Sequence, residues 1–188
     1  MRGIILDLCG GTGSWSKPYR DAGYTVEVVD IKTGGDTRLW PGRDNDVRDY
    51  VGMVQGVLAA PPCTVFASSG ARWERTDDDL REGLAVADAC IRIVHAVRPK
   101  WWALENPIGR IVRWLGNPAF RFDPNEYGDP YTKRTQLWGD FQVPQKSPVF
   151  ASEGSAMWSN YGGGSDTTKT ARSATPQGFS KAFFNANP

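Results

Sequence analysis

The sequence predicts an α/β fold built on a mostly parallel sheet, from three observations. Short apolar runs recur at residues 3–9, 24–29, 57–60 and 101–104, each closed by a turn-forming or charged residue. Between the third and fourth runs, Leu80, Leu84, Ala87, Ile91, Val94 and Val97 follow at helical spacing. Strands that alternate with helices imply crossover connections and hence parallel pairing.

The elements follow in order. Residues 3–9 read as a buried strand that runs into the tight turn Gly10-Gly11-Thr12-Gly13. Residues 14–23 fit a helix that ends near Gly23, with Pro18 in its first turn, where a missing N–H costs nothing. Tyr24 to Val29 form a second strand, closed by Asp30, and residues 32–45 read as loop. Val51 to Val54 fit a short helical turn, and Val57 to Ala60 a third strand stopped by Pro61-Pro62. Residues 64–76 form a loop of unusual length for a compact domain, a hint of function. Asp77, Asp78 and Asp79 then supply an N-cap and a negative first turn to the clearest helix of the chain. Trp101 to Leu104 read as a buried strand ending at Glu105-Asn106-Pro107, and Ile108 to Leu115 as a short helix. Phe120 to Phe122 and Thr135 to Trp138 supply two more strands. Residues 144–175, rich in Gly, Ser, Thr, Pro and Lys, read as irregular or mobile. Gly178 to Asn187 return to helical spacing and are expected to pack back on the core.

The 188 residues suffice for one domain with a substantial core, taken as a single unit over 1–188. A formal net charge of +1 gives no global field toward nucleic acid, although local basic pairs occur at Arg72/Arg75, Arg110/Arg113 and Lys133/Arg134. Three cysteines without paired spacing argue against a disulfide framework. One histidine and no CxxC argue against zinc, so no metal is expected. No apolar run is long enough to cross a bilayer, and the first residues read as a core strand rather than a leader. A cytoplasmic protein is therefore expected.

In parallel sheets ligands bind beyond the carboxyl ends of the strands, and Asp7, Asp30, Cys63 and Glu105 all fall at predicted strand ends. The Gly11-Thr12-Gly13 turn lets backbone approach a nucleotide-like ligand. It fits neither the dinucleotide fingerprint, broken at Ser16, nor the phosphate loop. Asp30 is spaced to accept from ribose hydroxyls, and Asp46 can accept from an adenine amine. Taken alone, Asp30 fits a plain strand-end or turn aspartate better, and Asp46 a loop aspartate or helix cap. Pro61-Pro62 fix the backbone just before the Cys63 thiol. Glu105 ends a buried strand, where low dielectric favours its protonated form.

Together these pieces resemble the DNA cytosine-5 methyltransferases, in particular compact phage-type members. Asp7-Leu8-Cys9-Gly10-Gly11-Thr12-Gly13 resembles that family's cofactor loop, with Cys9 in place of its usual phenylalanine. Pro61-Pro62-Cys63-Thr64-Val65-Phe66 resembles the nucleophile motif and Glu105-Asn106-Pro107 the glutamate motif. Arg134, followed by Gly139, resembles the last arginine of the basic strand motif, with Pro130 and Thr132 at its other positions and Lys133 as a compensating cation. The ending, from Arg172 through Thr175-Pro176 and Phe179 to Asn187, resembles the family's terminus.

The resemblance implies a Rossmann-like, S-adenosylmethionine-dependent methyltransferase fold with a C-terminal antiparallel strand pair. It implies Cys63, Glu105 and Arg134 as catalytic residues. It assigns S-adenosylmethionine to Asp7, Cys9, Gly10, Gly11, Gly13, Asp30, Ile31, Asp46, Val47 and Pro61. It assigns the substrate to Pro62, Thr64, Ser68, Arg72, Asn106, Pro107 and Lys133. The partner is DNA, with a cytosine flipped out of the duplex, met by a monomer. Residues 140–172 would be a reduced target-recognition segment, with Lys146, Asn160, Tyr161 and Lys169 as groove contacts and a short target site. Phosphate contacts would come from Arg72, Arg75, Arg110, Lys133 and Arg134. Three alternatives stay open: a free cytosine nucleotide or RNA as acceptor, a carboxylated adenosyl donor, and a non-catalytic module that binds DNA.

Overall fold

The computed structural model describes residues 2–68, 74–155 and 173–188. Its centre is a six-stranded sheet in the order β2-β1-β3-β4-β6-β5. The strands are β1 (Ile4–Leu8), β2 (Thr25–Val29), β3 (Val54–Ala59), β4 (Trp101–Pro107), β5 (Phe120–Phe122) and β6 (Thr135–Asp140). β1 pairs in parallel with β2 and β3, and β3 with β4. β6 runs antiparallel between β4 and β5. The helices are α1 (Lys17–Asp21), α2 (Asp77–Val97), α3 (Val112–Leu115) and α4 (Gln177–Ala186). This is the expected α/β, Rossmann-like arrangement, mostly parallel with a C-terminal antiparallel pair.

Both faces of the sheet are covered, which is why the strands read as apolar runs. Alternate residues go to opposite layers. Leu6, Leu8, Val57, Ala59 and Leu104 pack with Cys90, Ile93, Val94 and Val97 of α2. Ile5, Leu58, Trp101, Ala103 and Leu137 pack with Trp15, Tyr19, Phe179 and Phe183, so α4 does return to the core. Gly56 makes room for this second layer, because a Cβ there would lie 2.1 Å from the Trp101 ring. The chain end is fastened as well: the Tyr19 hydroxyl donates to the Asn187 carbonyl at 2.8 Å, and the Asn187 side chain bonds the backbone of Gln142 at 2.7 and 2.9 Å.

The strand order reverses about β1, between β2 and β3. That switch point opens a crevice beyond the carboxyl ends of these strands. The glycine turn after β1, Asp30 after β2 and Pro61–Cys63 after β3 all border it.

Several local expectations are corrected. The loop at 32–45 contains single 3-10 turns at Ile31–Thr33 and Thr37–Leu39. The helical turn expected at Val51–Val54 lies earlier, at Val47–Tyr50, and Val54 already begins β3. The N-cap of α2 is Thr76, not an aspartate: its hydroxyl accepts from Asp79 N–H while Asp79 accepts from Thr76 N–H. The helix expected over Ile108–Leu115 shrinks to the single turn α3. Glu105 does not end its strand. β4 continues to Pro107 because β6 pairs with it there, Glu105 opposite Leu137 and Pro107 opposite Thr135. Arg72, Asn160, Tyr161, Lys169 and Arg172 lie outside the described residues. Among the described residues no helix is long and apolar enough to cross a membrane.

Candidate active site

The glycine turn is shaped around a buried carboxylate. Asp7 is fully buried near the end of β1, and the Ser16 hydroxyl donates to it at 2.5 Å. Burial pushes its carboxyl up to about 6, against the pull of Ser16 and Arg20. A Cβ at Gly10 would lie 2.4 Å from the Asp7 Cγ, so this position admits glycine only. Cys9 and Gly11 follow the strand at positive φ, which turns the backbone toward β2. There the Asp30 carboxylate accepts from Gly11 N–H at 2.9 Å and from Lys32 N–H at 2.8 Å. Asp30 thus fixes the turn to the end of β2 and retains lone pairs toward the crevice.

A cavity of about 310 Å³ opens here, with Cys9, Asp30, Ile31, Pro62 and Thr64 among its lining residues. Its size lies within the range of small-molecule sites. The opposite wall was not foreseen from the sequence. It comes from Thr37 and Arg38 and from Glu82, Gly83 and Val86 of α2. Arg38 pairs with Asp36 at 2.8 Å and with Glu82 at 2.7 Å, joining the 3-10 turn to the helix. An Asp-x-Arg cluster was visible locally, but nothing in the sequence pairs residue 38 with residue 82. Asp46 and Val47, expected at the adenine, do not line the cavity. Asp46 instead starts its own turn, where the Arg48 guanidinium and backbone N–H hold its carboxyl down to about 2. No strand between β2 and β3 carries it across to the crevice.

The Cys63 turn is pinned from several sides. Phe66 and Ala67 N–H donate to the Cys63 carbonyl at 2.9 and 2.8 Å. The Asn106 side chain donates to the Pro61 carbonyl at 3.0 Å, and the Arg75 guanidinium to that of Thr64 at 3.0 Å. Ser68 N–H donates to Ile108 and Arg110 N–H to Phe66, both at 2.9 Å. Two glycines allow this closeness: a Cβ at Gly83 would lie 2.4 Å from Val65 Cγ2, and one at Gly109 would lie 2.0 Å from the Phe66 oxygen.

Cys63, Glu105 and Lys133 share one electrostatic environment. Burial raises the Cys63 thiol, the Glu105 charge raises it further, and Lys133 opposes both. Burial likewise raises Glu105, again against Lys133. Arg134, expected in the catalytic group, is exposed, and its charge acts on Asp123, while Lys133 is half-buried and its charge acts on both the thiol and the carboxyl. Neither of the other cysteines stands in this group. Cys9 bonds Thr37 at 3.4 Å and lies against Cys90, a contact that lowers Cys9 and raises the buried Cys90. Among the described residues no cluster of His, Cys, Asp and Glu is placed to hold a metal.

No family model matches the chain. It is 30% identical over 123 residues to the Type II methyltransferase M.DdeI of Desulfomicrobium norvegicum, a match over 56% of this chain. The match spans 28% of that relative's length. A solved structure described as a DNA modification methyltransferase encoded within a prophage (E. coli) aligns over 82% of this chain and 54% of its own, with a TM-score of 0.48 and 16% identity.

The residues of the site carry three chemical capacities. A thiol on a fixed turn can act as nucleophile. A carboxyl held toward its neutral form can donate a proton or hydrogen bond. A cation within reach of both can hold the charge that either releases.

Proposed function

We propose that the protein transfers a methyl group from S-adenosylmethionine to carbon 5 of cytosine in DNA, through a transient covalent bond between Cys63 and the base. The observation that carries this reading is that Cys63, which shares its electrostatic environment with Glu105 and Lys133, lies between Pro62 and Thr64, and these two line the cavity together with Cys9 and Asp30.

The residues fit the donor. The cavity suits a nucleoside-sized group, Asp30 keeps lone pairs for ribose hydroxyls, and Ile31, 73% exposed, offers an apolar face to a ring. Backbone of Gly10, Gly11 and Gly13 and the side chain of Cys9 would border the donor, with Pro61 at the far side. Asp30, Asp36, Asp79 and Glu82 outnumber the single lining cation Arg38. An acidic lining favours the cationic donor over a carboxylated one.

When bound, S-adenosylmethionine supplies an electrophilic methyl group. The Cys63 thiolate adds to carbon 6, forming the Sγ–C bond and pushing the ring double-bond electrons toward carbon 5. Glu105, whose desolvation favours the neutral form, would donate to ring nitrogen 3 and so stabilise the charge that builds there. Carbon 5 would take the methyl group, the S–CH3 bond breaking to leave the neutral thioether S-adenosylhomocysteine, and then give up its proton to solvent water. The electrons of that C–H bond restore the double bond and expel Cys63. Asn106, bonded to the Pro61 carbonyl, and Pro107 would hold the base edge and the turn together. In duplex DNA the cytosine must first leave the stack. Arg75 and Arg110 border the Cys63 turn and suit phosphate contacts.

The test is nucleoside mass analysis after incubation with S-adenosylmethionine and either plasmid DNA or deoxycytidine monophosphate. The expected result is 5-methylcytosine in the DNA alone. Product in the nucleotide alone overturns the choice of acceptor, and no 5-methylated product in either overturns the reaction.

A further inference from the structure

β4 and β6 set which side chains can meet. Glu105 stands opposite Leu137, Asn106 opposite Gln136 and Pro107 opposite Thr135. The pairing continues one step past the strand, where Ile108 N–H donates to the Arg134 carbonyl at 3.1 Å. Residues opposite one another in an antiparallel pair share a face, and successive residues alternate. Lys133, Thr135 and Leu137 therefore follow the face of Glu105, whereas Arg134 follows that of Asn106.

The Lys133 carbonyl accepts from the Thr135 hydroxyl at 2.6 Å. The Lys133 side chain is half-buried, and among the described residues no carboxylate forms an ion pair with it. Arg134 beside it is exposed. A half-buried cation with no ion pair among the described residues, at a register position on the face of a glutamate, calls for a counter-charge.

We propose that Lys133, and not Arg134, is the cation that makes Cys63 a nucleophile by holding the thiolate once the thiol proton has left to solvent. The S–H bond breaks heterolytically, the electron pair stays on sulfur, and the Lys133 ammonium remains protonated and balances the new charge. The charged groups that bear on Cys63 are Glu105 from β4 and Lys133 from the β5–β6 link, with Arg75 bonded next door at the Thr64 carbonyl. The Glu105 charge opposes the thiolate, so the pair can ionise at the sulfur only with a cation between them or with Glu105 neutral. The inference names a positioning residue of the proposed site, yet its readout needs neither donor nor DNA.

The experiment is alkylation of Cys63 by iodoacetamide across pH, with the Cys63 peptide resolved by mass from those of Cys9 and Cys90. It compares wild type with Lys133→Met, Lys133→Arg and Arg134→Met. Lys133→Met is expected to slow Cys63 alkylation at pH 8 about tenfold and to move its midpoint upward, as loss of an adjacent opposite charge does. Lys133→Arg is expected to restore the wild-type profile, which separates charge from folding, and Arg134→Met to match wild type. A Lys133→Met profile that overlays wild type overturns the proposal, as does an equal shift in Arg134→Met. A shifted Lys133→Met profile in a protein that methylates no cytosine would leave this inference standing and remove the proposed reaction.

Discussion

Two carboxyls bracket the site, the fully buried Asp7 and the half-buried Glu105, and desolvation shifts both toward their neutral forms. Asp7 is the structural one. Its folded pKa of about 6 lies above its ordinary 3.8, so the native state binds the proton more tightly than the unfolded chain does. The sign follows: its contribution is most favourable below pH 4 and is lost as the pH rises to about 6, about 3 kcal/mol in all. In Asp7→Asn the amide oxygen can still accept from Ser16 but cannot ionise. Urea denaturation should therefore show that the stability gap between variant and wild type shifts in the variant's favour between pH 4 and pH 7. A gap independent of pH would mean that Asp7 is not held neutral. Glu105 is the chemical one. Glu105→Gln keeps the shape but cannot give a proton to ring nitrogen 3, so turnover should fall by about 10²–10⁴-fold with donor affinity kept. An unchanged rate would reduce Glu105 to a strand residue. Cys63 and Glu105 were singled out from residue type and neighbours alone. Lys133 against Arg134 was not, because which of two adjacent cations turns inward depends on the register with β4, set by residues thirty positions away.

At the scale of elements, the nucleophile turn depends on two glycines that sit on other elements. Gly83 lies within α2 and lets the helix approach Val65, and Gly109 follows β4 and touches the Phe66 carbonyl. A methyl group at Gly109 would lie 2.0 Å from that oxygen, so the turn must move away from β4. A displacement of about 1 Å in a reacting group costs about 100-fold in rate. Gly109→Ala should lose methyl transfer on that scale while still binding donor, as read by calorimetry beside a thermal melt that shows it folded. Full activity would mean that the turn is held by other contacts. The apolar runs and the spacing of α2 were readable because burial on both sheet faces and on one helix face leaves a periodic trace. The last residues of β4 were not, since Asn106 and Pro107 are poor strand formers by themselves. They are extended because β6 pairs with them. Pro107 is tolerated because the pairing with β3 has ended at Leu104, where β4 is locally an edge.

For the molecule as a whole, the switch point about β1 brings the cavity and the Cys63 turn to the same edge of the sheet. Ligand binding to the native state should therefore raise the melting temperature. S-adenosylmethionine at a hundredfold excess over its Kd should add about 2.7 kcal/mol. Asp30→Ala should lose most of that rise, and NAD should produce none. A rise with NAD alone would assign the cavity to a different cofactor. The fold class was legible from the alternation of strands and helices, and the crevice from the residues that close each strand. The wall that Arg38 and Glu82 build was hidden, because it depends on how α2 lies over a loop without a strand of its own. The central claim is that Cys63 bonds covalently to cytosine during methyl transfer. A DNA duplex with 5-fluorocytosine at the target, incubated with S-adenosylmethionine, tests it most directly, since fluorine cannot leave as the carbon-5 proton does. The account predicts a denaturation-resistant protein–DNA adduct whose digest carries the modified base on the peptide containing Cys63, and none with Cys63→Ala. An adduct at Cys9 or Cys90, or methylated DNA formed by Cys63→Ala, would contradict it.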